Sequence, residues 1–139
     1  MTSSKQIKSK ISKEGLLTIS IEEVDIPQPN AGEVLIKVQA TPINPSDLGL
    51  LVGPADVSSL EIVEEGSKIQ MKVPESLIRS VSARFDQNLP VGNEGAGIVE
   101  AAGEGAEHLI GKVVGVAGGA MYSQYRCLPA SSCLEMNDG

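Results

Sequence analysis

Val91-Gly92-Asn93-Glu94-Gly95-Ala96-Gly97-Ile98-Val99 is the stretch on which the reading of this chain turns. Gly92, Gly95 and Gly97 mark backbone that turns sharply or is approached closely by another segment, because glycine alone lacks the Cβ that hinders both. The apolar pair Ile98-Val99 follows at once, which fits a glycine-rich turn entering a strand. A phosphate cradle is the competing reading. A dinucleotide fingerprint needs a strand before it, a further glycine and a helix after it, since the pyrophosphate rests on the helix N-terminus. After Gly97 that glycine is missing and a strand pattern continues, so nucleotide binding at Gly95-Ala96-Gly97 is rejected.

The rest of the chain supports a turn-rich β protein. Its 139 residues suffice for one domain with a core, and 41% hydrophobic with 21% charged residues is an ordinary soluble composition. Fifteen glycines and eight prolines favour short strands joined by turns. A net charge of −7 excludes a nucleic-acid or anionic-membrane surface, which needs clustered Lys and Arg. The one basic concentration, Lys5, Lys8, Lys10 and Lys13, reads as a solvated edge strand. Met1 to Lys10 has no apolar h-region, and no run approaches the roughly 20 residues that span a bilayer. A cytoplasmic location, with no membrane partner, is the expectation.

Upstream, Gln6 to Ile11 and the alternating Leu17, Ile19 and Ile21 predict a hairpin, and Val34, Ile36 and Val38 a third strand. Pro42 and Pro45 forbid regular helix or central strand between them, so Ala40 to Asp47 is expected to be an irregular loop presenting Asn44, Ser46 and Asp47. Polar groups at such an exit suit a site and suit turn-forming contacts equally well. A single helical turn is expected over Leu48 to Val52. Residues 54–90 read as an insertion: a short hairpin around Glu64-Glu65-Gly66, then a helix with Pro74 at its first position and Leu77, Ile78, Val81 and Phe85 on one stripe. Arg79 and Arg84 lie off that stripe, on a solvated face or facing an acidic substrate group.

Downstream, Gly103-Glu104-Gly105 turns the chain, and Lys112 to Val116 and Tyr122 to Leu128 are the remaining strands. Pro129 onward loses periodicity, and the chain ends at Asn137-Asp138-Gly139 as though cut. The fold class predicted is mainly β, a barrel-like core carrying the inserted hairpin and helix.

Catalytic and metal constellations are sparse. His108 is the lone histidine, and Cys127 and Cys133 lack zinc-type spacing and read as free thiols. No Gly-x-Ser-x-Gly elbow is present.

Gly32-Glu33-Val34-Leu35-Ile36-Lys37-Val38, Asn44-Pro45-Ser46-Asp47, Gly92 to Val99 and Gly111-Lys112-Val113-Val114-Gly115 occur in the order of one family. From Leu16 to Leu134, apart from 54–90, the chain resembles the N-terminal catalytic, GroES-like domain of medium-chain dehydrogenase/reductases, nearest the zinc-free quinone oxidoreductase and enoyl reductase branch. The resemblance implies a GroES-like, partly open β-barrel. It implies that Asn44 stands where the zinc alcohol dehydrogenases have a cysteine ligand and Asn93 where they have a histidine ligand, so no zinc is expected.

It also implies that Asn44, Ser46 and Asp47 are the catalytic candidates, with Pro45, Asn93 and Glu94 lining the cleft toward substrate and cofactor. Asn44 would donate to a developing enolate oxygen. Gly53-Pro54-Ala55 contains no tyrosine where the enoyl thioester reductases have their acid. The family's NAD(P)H site lies in a Rossmann domain expected after Gly139, so this chain alone should hold no cofactor and be inactive. The implied substrate is a small molecule, a quinone or an enone or enoyl compound. The alternative is a stand-alone GroES-like assembly module without chemistry, associating through an unpaired barrel edge; a ring of defined stoichiometry would favour that module, and a monomer or a weak homodimer the reductase domain.

Overall fold

The computed structural model describes residues 3–136. Strands dominate: β1 (Ser3–Ile11), β2 (Leu16–Asp25), β3 (Glu33–Ala40), β4 (Asp56–Glu64), β5 (Lys68–Lys72), β6 (Leu89–Pro90), β7 (Glu94–Ala102), β8 (Val113–Ala117), β9 (Tyr125–Pro129) and β10 (Cys133–Glu135), with helices α1 (Pro45–Leu51) and α2 (Glu75–Ile78). The strands form two five-stranded sheets, ordered β4-β5-β2-β1-β6 and β10-β8-β7-β3-β9, neither closed on itself. The mainly β expectation holds, with the hairpin predicted around Glu64-Glu65-Gly66 present as β4 and β5. The described residues divide into two compact units, residues 3–6, 23–43 and 92–136, and residues 7–22 and 44–91.

The unit containing β3 and β7 is built on the opening stretch. β3 is antiparallel to β7, with Val38 opposite Gly97 and Ile36 opposite Val99, and register shifts flank this section. A Cβ on Gly97 would lie 2.8 Å from Ile36 Cγ2 and collide with the Lys37 carbonyl oxygen. The glycine is therefore spent on the approach of two strands. Val34, Ile36, Val99, Val114, Val116, Met121 and Leu128 form the buried cluster of this unit. Each such side chain contributes roughly 1.5–3 kcal/mol through burial.

The other unit packs Ile11, Leu17, Met71 and Val73, with Ile78, Val81 and Phe85 against them. The predicted stripe thus faces this core, except Leu77, which is 41% exposed. The helix itself differs from expectation. Pro74 is its N-cap rather than its first residue, and after Ile78 the chain tightens into a 3₁₀ segment, Arg79–Arg84. Ser80 Oγ donates to Leu77 O at 2.6 Å, the back-bonding by which serine competes with α-helix hydrogen bonds.

Two further differences have local causes. Tyr122 to Leu128 becomes β9 only from Tyr125, because Met121 N–H is bonded to Gly92 O, which holds the preceding segment as a loop. β10, unforeseen, pairs Cys133, Leu134 and Glu135 with Val116, Gly115 and Val114. Three residues, with Leu134 74% exposed, are too few to create an alternating pattern. The expectation for Asn137-Asp138-Gly139 lies outside the described residues.

Candidate functional site

The Asn44–Asp47 turn is a helix start. Asn44 is extended, at φ −92° and ψ 156°, as a residue before proline prefers, and Pro45 opens α1 at a position where a missing N–H costs nothing. The irregular loop expected over Ala40 to Asp47 holds for Thr41 to Asn44 and is corrected from Pro45 onward, where α1 begins. That expectation treated both prolines as breakers, whereas the second is a starter. Asp47 Oδ2 accepts the Asn44 N–H at 2.8 Å, and the Asp47 N–H returns to Asn44 O at 2.9 Å. The Asn44 side chain also accepts from the Asp47 N–H, and together with the Asp47 carboxylate on the Asn44 N–H this closes a capping box.

Asp47 is buried, at 1% exposure, while Pro45 and Ser46 are exposed and Asn44 is half-buried. The buried carboxylate therefore orders the turn that carries Asn44. Asp47→Ala should cost about 2 kcal/mol, since it removes a charge-assisted cap and leaves the Asn44 N–H without that acceptor. Chemical denaturation read by circular dichroism checks this, and an unchanged midpoint would remove Asp47 from that role.

The far end of α1 is held from outside. Val52 and Gly53 N–H both reach Leu48 O, at 2.9 and 3.1 Å, and Gly53 turns the chain with φ +48°. Arg84 Nη2 donates to Leu50 O at 2.9 Å, and Ser9 Oγ donates to Leu51 O at 3.0 Å. Burial pushes the Arg84 guanidinium below the usual arginine range, a range high enough that it remains a cation. Arg84 was expected on a solvated face or toward a substrate acid, and it instead meets main-chain carbonyls. No spacing in the sequence signals a partner 34 residues away.

Asn93 and Glu94 lie in the other unit, both exposed, at the entry to β7. Gly92, at φ +102°, makes the turn before them, and a Cβ there would lie 2.7 Å from Tyr122 N. Gly118 N–H donates to Asn93 O at 2.9 Å, and Tyr122 Oη donates to Pro42 O at 3.1 Å. Beside this turn a cleft of ≈ 680 Å³ is lined by Thr41, Pro42, Glu94, Gly95, Leu134 and Met136 among others. Glu94 is the predicted residue that lines it. Leu134 and Met136 were missed because β10 was missed.

Burial, then the nearby Glu33 carboxylate, raises the Cys127 pKa, with Arg126 opposing, and burial alone raises that of Cys133. Among the described residues no three His, Cys, Asp or Glu side chains gather as metal ligands would. Among the described residues no helix is long and apolar enough to cross a membrane.

Residues 30–138 match the alcohol dehydrogenase GroES-like domain, and the chain belongs to that family. A zinc-type alcohol dehydrogenase-like protein of Schizosaccharomyces pombe is 56% identical over 39 residues, 28% of this chain and 12% of that protein. An alcohol dehydrogenase of Moraxella sp. is 35% identical over 101 residues, 72% of this chain and 22% of that protein. The matches thus span less than a quarter of the length of these relatives. In structure, the chain is similar to a candidate NADPH:quinone reductase from Bacillus thuringiensis, with TM-score 0.65, 23% identity, and coverage of 99% of this chain and 34% of that one.

Proposed function

We propose that this chain is the substrate-side domain of an NAD(P)H-dependent, zinc-independent oxidoreductase that reduces a quinone or an activated C=C bond. The observation that carries it is the family match over residues 30–138, combined with asparagine rather than a metal ligand at both Asn44 and Asn93. The structural likeness to a candidate NADPH:quinone reductase supports the choice of acceptor.

In this reading the nicotinamide, held by a further domain, supplies hydride. This chain's residues orient the acceptor and stabilise charge on its oxygen. Asn44, fixed at the N-cap of α1, is the donor to that oxygen. Asp47 and Pro45 hold Asn44 in place and Ser46 lies exposed on the same turn; in the other unit Glu94 lines the cleft, and Asn93 is the exposed residue before it. Gly95 and Gly97 cradle no phosphate, because a Cβ on Gly95 would lie 3.0 Å from Ala40 O and Gly97 is pressed against Lys37. The isolated chain is accordingly inactive and does not hold cofactor.

Fluorescence titration of the 139-residue chain with NADPH should give no tight binding, and elemental analysis should find no zinc. Tight NADPH binding, or one zinc per chain, would overturn the reading.

A second reading, an assembly module without chemistry, is favoured by one observation. β4 is an edge strand along which Val57, Leu60, Ile62 and Val63 are 46–62% exposed, a surface open to strand pairing. A ring of defined stoichiometry in solution mass measurements would support that module, and a monomer or a weak homodimer would support the reductase domain.

A further inference from the structure

We infer that Arg84 is the positioning residue of the Asn44–Asp47 turn, and that segment 54–90 serves the candidate site through it. The inference rests on the role proposed above for Asn44.

α1 has seven residues, so at 1.5 Å per residue its last carbonyls are only about 10 Å from Asn44. A helix this short does not persist by itself, and it carries no basic residue in its last turn to complement its own C-terminal carbonyls. That cation comes from elsewhere. Arg84 Nη2 donates to Leu50 O at 2.9 Å and contacts Ser9 Oγ at 3.4 Å, and fully buried Ser9 passes the tie on to Leu51 O. The guanidinium also packs on Gly53, where a Cβ would stand 3.2 Å from Arg84 Nη1.

Arg84 spends its charge on nothing else. Its hydrogen-bond acceptors are Leu50 O and Ser9 Oγ, its Nε is buried without an acceptor, and no carboxylate pairs with it among the described residues. Holding a half-buried cation with its Nε unpaired costs some desolvation, set against the carbonyl and hydroxyl its Nη2 engages. What it holds is the end of the helix whose other end presents Asn44. Asp47 fixes that turn locally, and Arg84 fixes it from the far end.

The test is amide hydrogen exchange by NMR on the 139-residue chain. In Arg84→Met, the amides of Asp47, Leu48, Val52 and Gly53 should exchange at least about tenfold faster, while those of Ile36 and Val99 keep their wild-type rates. The Asn44 side-chain amide resonances should move toward their unfolded-chain positions. Arg84→Lys, which keeps one donor, should restore part of both effects, and Ser9→Ala, which removes only the tie to Leu51, should give a weaker version of the same pattern. Unchanged exchange across α1, or uniform acceleration at every amide, would overturn the inference. The readout involves no turnover, so its failure would leave the proposed chemistry of Asn44 standing, and a catalytically silent Asn44 would leave the exchange result standing.

Discussion

Gly97→Val is expected to abolish the folded state of the β3 and β7 unit. The new Cβ would lie 2.8 Å from Ile36 Cγ2 and 2.9 Å from the Lys37 carbonyl carbon, with the Lys37 oxygen closer still. Main chain cannot rotate away as a flexible side chain can, so relief requires the two strands to separate. Separation would break the pairing that sets Val38 opposite Gly97 and Ile36 opposite Val99, and would open the cluster around Ile36 and Val99, both 0% exposed. The cost should exceed about 4 kcal/mol, a large part of the roughly 5–15 kcal/mol that holds a typical domain. Gly115→Ala is the control. Its Cβ would meet Met136 Sδ at 3.4 Å, an ordinary contact with an adaptable thioether, and the variant should melt close to wild type. If Gly97→Val shows a thermal midpoint like that of Gly115→Ala, the close approach is not what the glycine is for.

Asn44→Asp is expected to lower quinone or enone turnover about 100-fold in the assembled oxidoreductase, the effect of losing one donor to a developing oxyanion. Aspartate is nearly isosteric and is as good an N-cap, so α1 should still start at Pro45. What changes is that an amide donor becomes a carboxylate acceptor. Steady-state kinetics should place the loss in kcat, with NADPH affinity near wild type. Wild-type turnover in a variant of normal stability would remove Asn44 from the reaction and leave it a helix cap.

The contrast between these positions shows what the sequence could reveal. The strand after the glycines, the alternation of Val34, Ile36 and Val38, and the hairpin at Glu64-Glu65-Gly66 were legible because their signals are local: β-favouring apolar residues in the sequence and turn chemistry between them. The helix start at Pro45 was hidden by an ambiguity of proline, which breaks a helix interior and favours its first position. β10 was too short to show periodicity. Asn44 could be singled out, but the burial of Asp47 beneath it could not, because burial is decided by distant segments. Arg84 looked like one more cation off an apolar stripe. Its acceptors are main-chain carbonyls, which every residue has, so no residue type marks them.

The ties on α1 also impose an order of assembly. Ser9 reaches Leu51 across 42 positions and Arg84 reaches Leu50 across 34, so the helix is clasped by chain made well before it and chain made well after it. A seven-residue helix cannot wait as a stable nucleus, and contacts of such separation form only after the intervening loops have closed. During synthesis the turn bearing Asn44 should therefore stay unset until residue 84 has left the ribosome, and under mild denaturant it should be among the first segments to open. The candidate chemistry would thus appear late in folding and be lost early in unfolding.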